Sequence, residues 1–164
     1  MIHIIEGQGK GKTTTAVGLA VRAAGHGRPV LFIQFLKDGS SGEIGIMKMI
    51  PDIRVLHSPV HFGFTFQMNK EQLDMTAEAY DKLLDAALES EAFLIVLDES
   101  LHALNAGLIK KEKLLGLLEK DAEIVLTGRD APAWLLEKAD YISDIQNKKH
   151  PFDSGIPARE GIEF

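Results

Sequence analysis

The chain has 164 residues, a formal net charge of −6, 45% hydrophobic residues and no cysteine. Its length predicts a single domain, residues 1–164, which can bury about two-thirds of the surface of the unfolded chain. The acidic balance argues against a general nucleic-acid-binding protein, because such proteins usually carry a basic face. The absence of cysteine excludes a disulfide framework and a cysteine-based zinc site, and it is typical of a reducing cytosol.

Nothing in the sequence predicts a membrane protein. The longest apolar runs, such as residues 92–97, are far too short to cross a bilayer. Met1 leads directly into an apolar run that is typical of a strand, which leaves no room for a signal peptide. We therefore expect a soluble cytoplasmic protein that has neither a membrane nor a nucleic acid as a partner.

Strand-like and helical patterns alternate along the chain. This alternation predicts an α/β fold in which a mostly parallel, six-stranded sheet carries helices on both faces. The predicted strands are residues 2–5, 30–35, 53–56, 93–97, 123–126 and 141–145. The predicted helices are residues 13–24, a long one that begins after the N-cap Asn69 with Gln72 three residues on, 110–119 and 132–138.

Three segments do not fit this alternation and are predicted to be loops. Residues 37–43 (KDGSSGE) are polar, whereas residues 57–68 (HSPVHFGFTFQM) concentrate aromatic side chains. The third segment, residues 146–164, carries Lys148, Lys149 and His150 ahead of a proline.

The first predicted strand leads into a glycine-rich segment, residues 6–15, which reads EGQGKGKTTT. A strand, a glycine-rich turn and a Gly-Lys-Thr sequence that opens a helix together predict a phosphate-binding loop. Three glycines are expected to adopt positive φ, so that successive N–H groups surround an anion, while the lysine adds positive charge and the first threonine holds a magnesium ion. The expected phosphate contacts are Gly7, Gln8, Gly9, Lys10, Gly11, Lys12, Thr13 and Thr14.

One position in this loop is irregular. The usual pattern, G-x-x-x-x-G-K-[ST], requires glycine at position 6, where this chain has Glu6. Counted from Gly7, the loop is one residue short.

Asp98 and Glu99 follow the most apolar of the predicted strands. The carboxyl edge of a parallel sheet is where nucleotides bind in open α/β folds. One of these carboxylates is therefore expected to hold Mg²⁺, directly or through water, opposite the phosphate loop. Asp98 could also cap a following helix, a role that is compatible with the first.

Three basic residues are ambiguous on sequence alone. Arg129, in a Thr-Gly-Arg sequence after the fifth strand, could bind a phosphate or form a surface salt bridge. Arg22 could contact the nucleotide or be solvated, and so could His150 together with the two lysines before it.

The aromatic loop carries two further patterns. His57 and His61 have the spacing of metal ligands on a helix, but Pro59 and Gly63 argue against a helix and no third ligand is evident, so a metal site is disfavoured. The phenylalanines of this loop could form a core strand edge or the wall of a site for a large flat ligand. They are Phe62, Phe64 and Phe66.

Taken together, these motifs resemble the ATP:corrinoid adenosyltransferases, specifically the P-loop type of cob(I)alamin adenosyltransferase. The resemblance spans nearly the whole chain. It is carried by GQGKGKTT at 7–14, GHG at 25–27, QFLK at 34–37, GE at 42–43, GFTF at 63–66, LDE at 97–99, TGR at 127–129, KHPFDSGI at 149–156 and GIEF at 161–164.

This resemblance implies a P-loop NTPase-like (RecA-like) fold and a specific reaction. Co(I) of a reduced corrinoid attacks the 5′ carbon of ATP, giving adenosylcobalamin or adenosylcobinamide and releasing tripolyphosphate. Because the whole triphosphate leaves, the shortened loop is interpreted as a cradle for a departing group, with ATP bound in a reversed sense.

The resemblance also implies residue roles and partners. Lys12, Thr13 and Glu99 would be catalytic, with Mg²⁺ held by Thr13 and by Asp98 or Glu99. Phe64 and Phe66 match the aromatic positions that crowd the lower face of the cobalt and ease its reduction, although relatives have tryptophan at the position of Phe66. The nucleotide would also meet Arg22, Arg129 and His150. A homodimer is implied, and a flavoprotein is the expected reductant.

Two other classes remain open at this point. A small-molecule kinase could use the same loop, although a cysteine zinc module and an arginine-rich lid are both missing from the sequence. A non-enzymatic ATP-binding switch could use the aromatic loop to dock a protein.

Overall fold

A computed structural model of the chain describes residues 1–162, so the last two residues of the GIEF motif, Glu163 and Phe164, lie outside the described part. The strands are β1 (Ile2–Glu6), β2 (Val30–Gln34), β3 (Ile53–His57), β4 (Leu94–Asp98), β5 (Glu123–Thr127) and β6 (Tyr141–Asp144). The helices are α1 (Lys12–Gly25), α2 (Gly42–Met47), α3 (Lys70–Glu89), α4 (Ser100–Asn105), α5 (Lys111–Leu118) and α6 (Ala133–Leu136). Single 3₁₀ turns cover Thr65–Gln67 and Pro151–Ser154.

The strands form one sheet in the order β3-β2-β4-β5-β1-β6. Every strand pairing among residues 1–162 is parallel, so the sheet is wholly and not only mostly parallel. β5 lies between β1, which leads into the phosphate loop, and β4, which ends in Asp98. All carboxyl ends therefore meet at one edge. The predicted α/β, P-loop NTPase-like fold is confirmed.

The two faces of the sheet are buried by different helices. In β2, Leu31 and Ile33 belong to a core that α3, α4, α5 and α6 cover, whereas Val30 and Phe32 belong to a second core beneath α1 and α2. The same alternation runs through β4 and β5, because successive side chains of a strand point to opposite faces. The prediction of helices on both faces of the sheet is thus confirmed. The two cores together fix the strands whose carboxyl ends form this edge.

The predicted strand positions are correct, but each strand differs from its prediction by one residue at one end or at both ends. Polar residues that the prediction placed after the strands belong to them, because backbone pairing continues beyond the apolar run: Glu6 in β1, Asp98 in β4 and Thr127 in β5. Phe35 and Phe93, which were included in predicted strands, lie just outside β2 and β4.

Two short helices were not predicted. α2 starts at Gly42, inside the predicted 37–43 loop, and it is held by the buried side chains of Ile44 and Met47. α4 follows Glu99 directly and has only six residues, too few for a helical period to show in the sequence. The helix predicted at 132–138 is a single turn, Ala133–Leu136, with Pro132 as its N-cap. None of the helices among residues 1–162 combines the length and the apolar character that crossing a membrane requires.

The predicted N-cap of the long helix is confirmed. The side chain of Asn69 accepts a hydrogen bond from the Gln72 backbone N–H at 3.0 Å, and the Gln72 side chain accepts one from the Asn69 N–H at 2.9 Å. This reciprocal capping box satisfies two backbone donors that the first turn of α3 would otherwise leave free.

We expect Asn69→Ala to lower the free energy of unfolding by about 1 kcal/mol, because the cap is lost while the core face of α3 is unchanged. Urea denaturation measures the change. Asn147→Ala, in the exposed loop after β6, is the matched control and should be neutral. Equal stability of the two variants would contradict a stabilising role for the cap.

Candidate active site

A cavity of about 1030 Å³ opens at the carboxyl edge of the sheet. Its lining combines the phosphate loop with the 36–43 segment and part of the aromatic loop. Sequence-distant motifs therefore meet in one place. The lining residues of these three segments are Gln8, Gly9, Lys10, Gly11, Lys12, Thr13, Thr14, Leu36, Lys37, Asp38, Ser40, Ser41, Gly42, Glu43, His61, Gly63 and Phe64, and the remainder are Val17, Glu99, Arg129, His150, Gly161 and Ile162.

The start of α1 is arranged for an anion. Gly11 is its N-cap with φ of 117°, a left-handed conformation that favours glycine. No side chain of the described chain caps this helix, and its first turn has no acidic residue. The first N–H groups and the positive end of the helix dipole therefore face the cavity without competition, as in phosphate-binding helix starts.

The glycines of the loop have two different functions. Gly7, with φ of 110°, and Gly11 adopt the expected positive φ. Gly9 does not, so that prediction is wrong for this residue. Glycine is instead required at position 9 because the loop lies very close to the segment after β6. The Gly9 N–H donates to the Ile145 carbonyl at 2.7 Å, and a Cβ on residue 9 would also lie 2.7 Å from that oxygen. The segment after β6 thereby supports the loop.

The Lys12 side chain is buried at the base of the loop. Its ammonium donates to the carbonyl oxygens of Gly7 and Gly9 at 2.8 and 2.9 Å. Burial and the nearby positive charge of Arg129 lower the pKa of Lys12, while Glu99 and Asp98 act in the opposite direction. Two neighbouring cations in a partly desolvated site favour an anionic ligand, because the ligand would relieve both the repulsion and the lost hydration.

Asp98 is fully buried and joins the loop to the neighbouring strands. Its Oδ1 accepts hydrogen bonds from the hydroxyls of Thr13 at 2.9 Å and Thr127 at 2.8 Å. Its Oδ2 lies 3.4 Å from the amide nitrogen of Gln34 and 3.5 Å from the ammonium of Lys37. The predicted pairing of Thr13 with the β4 carboxylate is therefore present as a direct contact.

Glu99 adopts φ of 60°, which is unusual for a residue other than glycine. Its backbone N–H donates to the Thr127 hydroxyl at 2.9 Å, and its Oε2 lies 2.6 Å from Nδ1 of His102. Burial raises the pKa of Glu99, but the hydrogen bond and charge of His102 and the charges of Lys37 and Lys12 outweigh it and lower the pKa below the ordinary value. A lowered pKa favours the ionised form, which can bind a cation.

The residue at the N-cap of α4 is Glu99, with no side-chain capping bond, so the alternative that Asp98 caps this helix is wrong. The Asp98 side chain is already engaged by the Thr13 and Thr127 hydroxyls.

Sequence reasoning assigned no role to three residues that complete this network. Gln34 and Lys37 stand in the QFLK motif and Thr127 in the TGR motif, so the motifs marked them without indicating what they contact. Gln34 and Thr127 are fully buried polar residues, and both bind Asp98. The register of β2, β4 and β5 brings them together, because all three strands end at the same edge.

The structure separates the three ambiguous basic residues. Arg129 lines the cavity, and no salt bridge links it to a carboxylate of residues 1–162, so the salt-bridge alternative is not realised there. His150 also lines the cavity, and its Nδ1 accepts the Phe152 N–H at 3.2 Å. Arg22 lies exposed in the last turn of α1, roughly 15 Å along the helix from Lys12, and does not line the cavity.

The aromatic loop does not form a core strand. Phe64 is 67% exposed and Phe66 is 80% exposed. Their rings stack with centroids 5.4 Å apart and an interplanar angle of 19°. Phe64 lines the cavity, and Phe66 extends the apolar surface behind it. Two exposed, stacked rings at the mouth of a polar cavity form an apolar wall, the second of the two alternatives that the sequence left open.

The H-x-x-x-H spacing does not form a metal site in the described chain. His57 ends β3, whereas His61 lies in the following loop and lines the cavity. Among residues 1–162 no group of three histidine, aspartate or glutamate side chains is arranged to hold a metal ion.

Comparison with known proteins gives a consistent family. A sequence profile described as ATP:corrinoid adenosyltransferase BtuR/CobO/CobP matches residues 1–164. Corrinoid adenosyltransferase of Pseudomonas aeruginosa is 35% identical over 170 residues, covering 100% of this chain and 82% of the relative. The corrinoid adenosyltransferase of Escherichia coli K12 and corrinoid adenosyltransferase CobA of Salmonella typhimurium are each 30% identical, covering 100% of this chain and 85% of the relative.

The family match and the full-length similarity agree with the lining of the cavity, in which the phosphate loop, Glu99 and Phe64 come together. The chain is an enzyme of the transferase class and belongs to the ATP:corrinoid adenosyltransferase family.

Proposed function

We propose that this protein transfers the 5′-deoxyadenosyl group of ATP to Co(I) of a reduced corrinoid and releases tripolyphosphate. The observation that carries the proposal is that one cavity contains both an anion site, at the start of α1, and an apolar aromatic wall, at Phe64. A hydrolase or a kinase of small polar substrates has no need for two exposed stacked rings beside its phosphate loop.

The triphosphate would lie on the phosphate loop. Hydrogen-bond donors and positive charge come from the free N–H groups at the start of α1, the ammonium of Lys12 and the guanidinium of Arg129. The chain as a whole has a net charge of −6. Positive charge concentrated at one site of an acidic protein favours a highly charged anion there. The same groups would stabilise the negative charge that develops on the leaving triphosphate.

The residues present also fit a magnesium ion. The Thr13 hydroxyl and the carboxylates of Asp98 and Glu99 are oxygen donors, which Mg²⁺ prefers, and they adjoin the loop. Beside them, Oε1 of Gln34 is buried without a hydrogen-bond partner among residues 1–162, so a further oxygen is available next to these donors. Two carboxylates and a hydroxyl do not make a complete protein site, so phosphate oxygens of ATP would complete it. When bound, the ion adds positive charge next to the triphosphate.

The chemistry of the transfer needs no nucleophile from the protein. The electron pair of Co(I) attacks the 5′ carbon of ATP, a cobalt–carbon bond forms, and the bond between the 5′ carbon and its oxygen breaks with its electrons going to tripolyphosphate. Cobalt is oxidised from Co(I) to Co(III) in this step. The protein residues act by holding the two substrates in line and by binding the leaving group.

Phe64 and Phe66 would cover the lower face of the corrinoid. Apolar rings packed against that face leave no room for the lower axial ligand of the cobalt, which makes Co(II) easier to reduce. The exposure of both rings supports this role, because exposed aromatic surface is usually covered by a partner or ligand. A flavoprotein reductant and a homodimer remain predictions.

The proposed reaction predicts a specific pair of products. Anaerobic incubation with MgATP and chemically reduced cobalamin should give adenosylcobalamin and tripolyphosphate in equal amounts. The absorbance of the cobalt–carbon bond measures the first, and ion chromatography measures the second. Orthophosphate release without adenosylcobalamin would instead indicate an ATPase, and ADP formation with neither orthophosphate nor adenosylcobalamin would indicate a kinase. ATP binding that needs no corrinoid and gives no product would indicate a switch.

Lys12→Ala should reduce turnover by about 10²–10³-fold, because the leaving triphosphate loses its buried cation. Steady-state adenosylation with prereduced cobalamin measures the effect. Lys48→Ala removes the same charge from an exposed site outside the cavity and should retain normal turnover. Near-normal rates for Lys12→Ala would mean that the triphosphate binds elsewhere.

Phe64→Ala and Phe66→Ala are each tested in two assays, one that starts from Co(II) and a reductase and one that starts from Co(I). The loss of adenosylation should be roughly 2- to 10-fold larger in the Co(II) assay than in the Co(I) assay. The physical reason is that the rings act on the reduction of cobalt before the transfer. Phe93→Ala, which removes a ring at the opposite edge of the sheet, is the control and should affect both assays equally. Equal losses in the two assays for the loop variants would argue against the redox role.

A further inference from the structure

Position 6, the irregular position of the phosphate loop, belongs to a strand in the structure. Glu6 is the last residue of β1, pairs with Asp144 of β6, and its carbonyl accepts the Ile145 N–H at 2.8 Å. Positive φ begins only at Gly7. Because position 6 is extended, it does not need the conformational freedom of glycine. A side chain at this position is therefore available for another function.

The Glu6 side chain binds the turn that carries Arg129. Its Oε2 accepts a hydrogen bond from the backbone N–H of Ala131 at 2.9 Å. That turn has two residues in left-handed conformations, Gly128 with φ of 147° and Asp130 with φ of 56°. A non-glycine residue in this region is held there only where its surroundings fix it.

A second side chain holds the same turn from the other side. The amide nitrogen of Asn105, in α4, lies 3.3 Å from the carbonyl oxygen of Arg129 and 3.0 Å from that of Asp130. Glu6 thus satisfies a backbone donor of the turn, and Asn105 satisfies two of its acceptors. Between these anchored groups, the side chain of Arg129 lines the cavity beside Lys12.

We propose that Glu6 is a positioning residue which, together with Asn105, holds the 128–131 turn so that Arg129 is directed at the triphosphate. This inference rests on the proposed function, because it takes the anion at the phosphate loop to be the triphosphate of ATP. It gives the missing glycine a physical reason: glycine at position 6 would leave the Ala131 N–H without this acceptor.

The test compares the affinity of the full-length protein for MgATP by titration calorimetry. Glu6→Ala and Asn105→Ala should each weaken binding by roughly 3- to 10-fold, as expected when a hydrogen bond that orients a charged ligand contact is lost. Glu6→Gln, which keeps an oxygen acceptor, should remain within about two-fold of the original protein. In the Arg129→Ala background, Glu6→Ala should have almost no further effect, because the residue through which it acts is gone.

Asp140→Ala is the matched control. The Asp140 carboxylate accepts the Ile2 backbone N–H at 2.7 Å, so it makes the same kind of bond at the opposite edge of the sheet. Its loss should change the urea midpoint but not the affinity for MgATP. If Glu6→Ala does not fold, Asn105→Ala and its double variant with Arg129→Ala test the same turn.

Any of three results would overturn the inference. The first is that Glu6→Ala weakens binding equally with and without Arg129, which would mean that it acts on the loop in general. The second is normal binding by Glu6→Ala and Asn105→Ala while Arg129→Ala binds weakly. Normal binding by Arg129→Ala itself would instead remove the proposed triphosphate contact, and the positioning role would fall with it.

Discussion

The buried carboxylate of Asp98 is the interaction on which the geometry of the site depends. A carboxylate without solvent is costly unless donors surround it, and the four donors here come from three different segments. Thr13 ties Asp98 to the start of α1, and Thr127 ties it to β5. Gln34 and Lys37 approach it from the end of β2. One charge thereby fixes the spacing between the phosphate loop and the strand ends.

Polar side chains also explain how the backbone can adopt unusual conformations at the carboxyl edge of the sheet. Leu36, Glu99 and Asp130 are the non-glycine residues of the described chain with positive φ, and each directly follows a strand end or lies in the turn after one. Each turn is held by a side chain from elsewhere: the Tyr80 hydroxyl accepts the Leu36 N–H at 2.7 Å, and the Thr127 hydroxyl accepts the Glu99 N–H. The apolar layers beneath supply the rigidity, whereas these polar contacts decide where the cavity residues point.

Much of the fold was accessible from the sequence because its signals are local. The apolar runs of the strands and the Asn69–Gln72 cap depend on neighbours in the chain, and their predictions were confirmed. α4 has only six residues and was missed, as was α2, whose Ile44 and Met47 are buried by tertiary packing. The prediction for Gly9 was wrong for the same kind of reason. Glycine is needed at position 9 because Ile145, which is far away in sequence, leaves no space for a side chain.

The sequence alone determined the phosphate loop and the acidic strand end, because each is a contiguous pattern with its own chemistry. It also determined the family, because several specific motifs occur in order along the chain. Only the tertiary structure decided which residues share the cavity: it includes Arg129 and His150, omits Arg22 from the lining, and places the stacked phenylalanines beside the anion site. It also showed that position 6 is an extended strand residue whose carboxylate contacts the turn after β5. These facts depend on strand order and on contacts across more than a hundred residues, which no local pattern encodes.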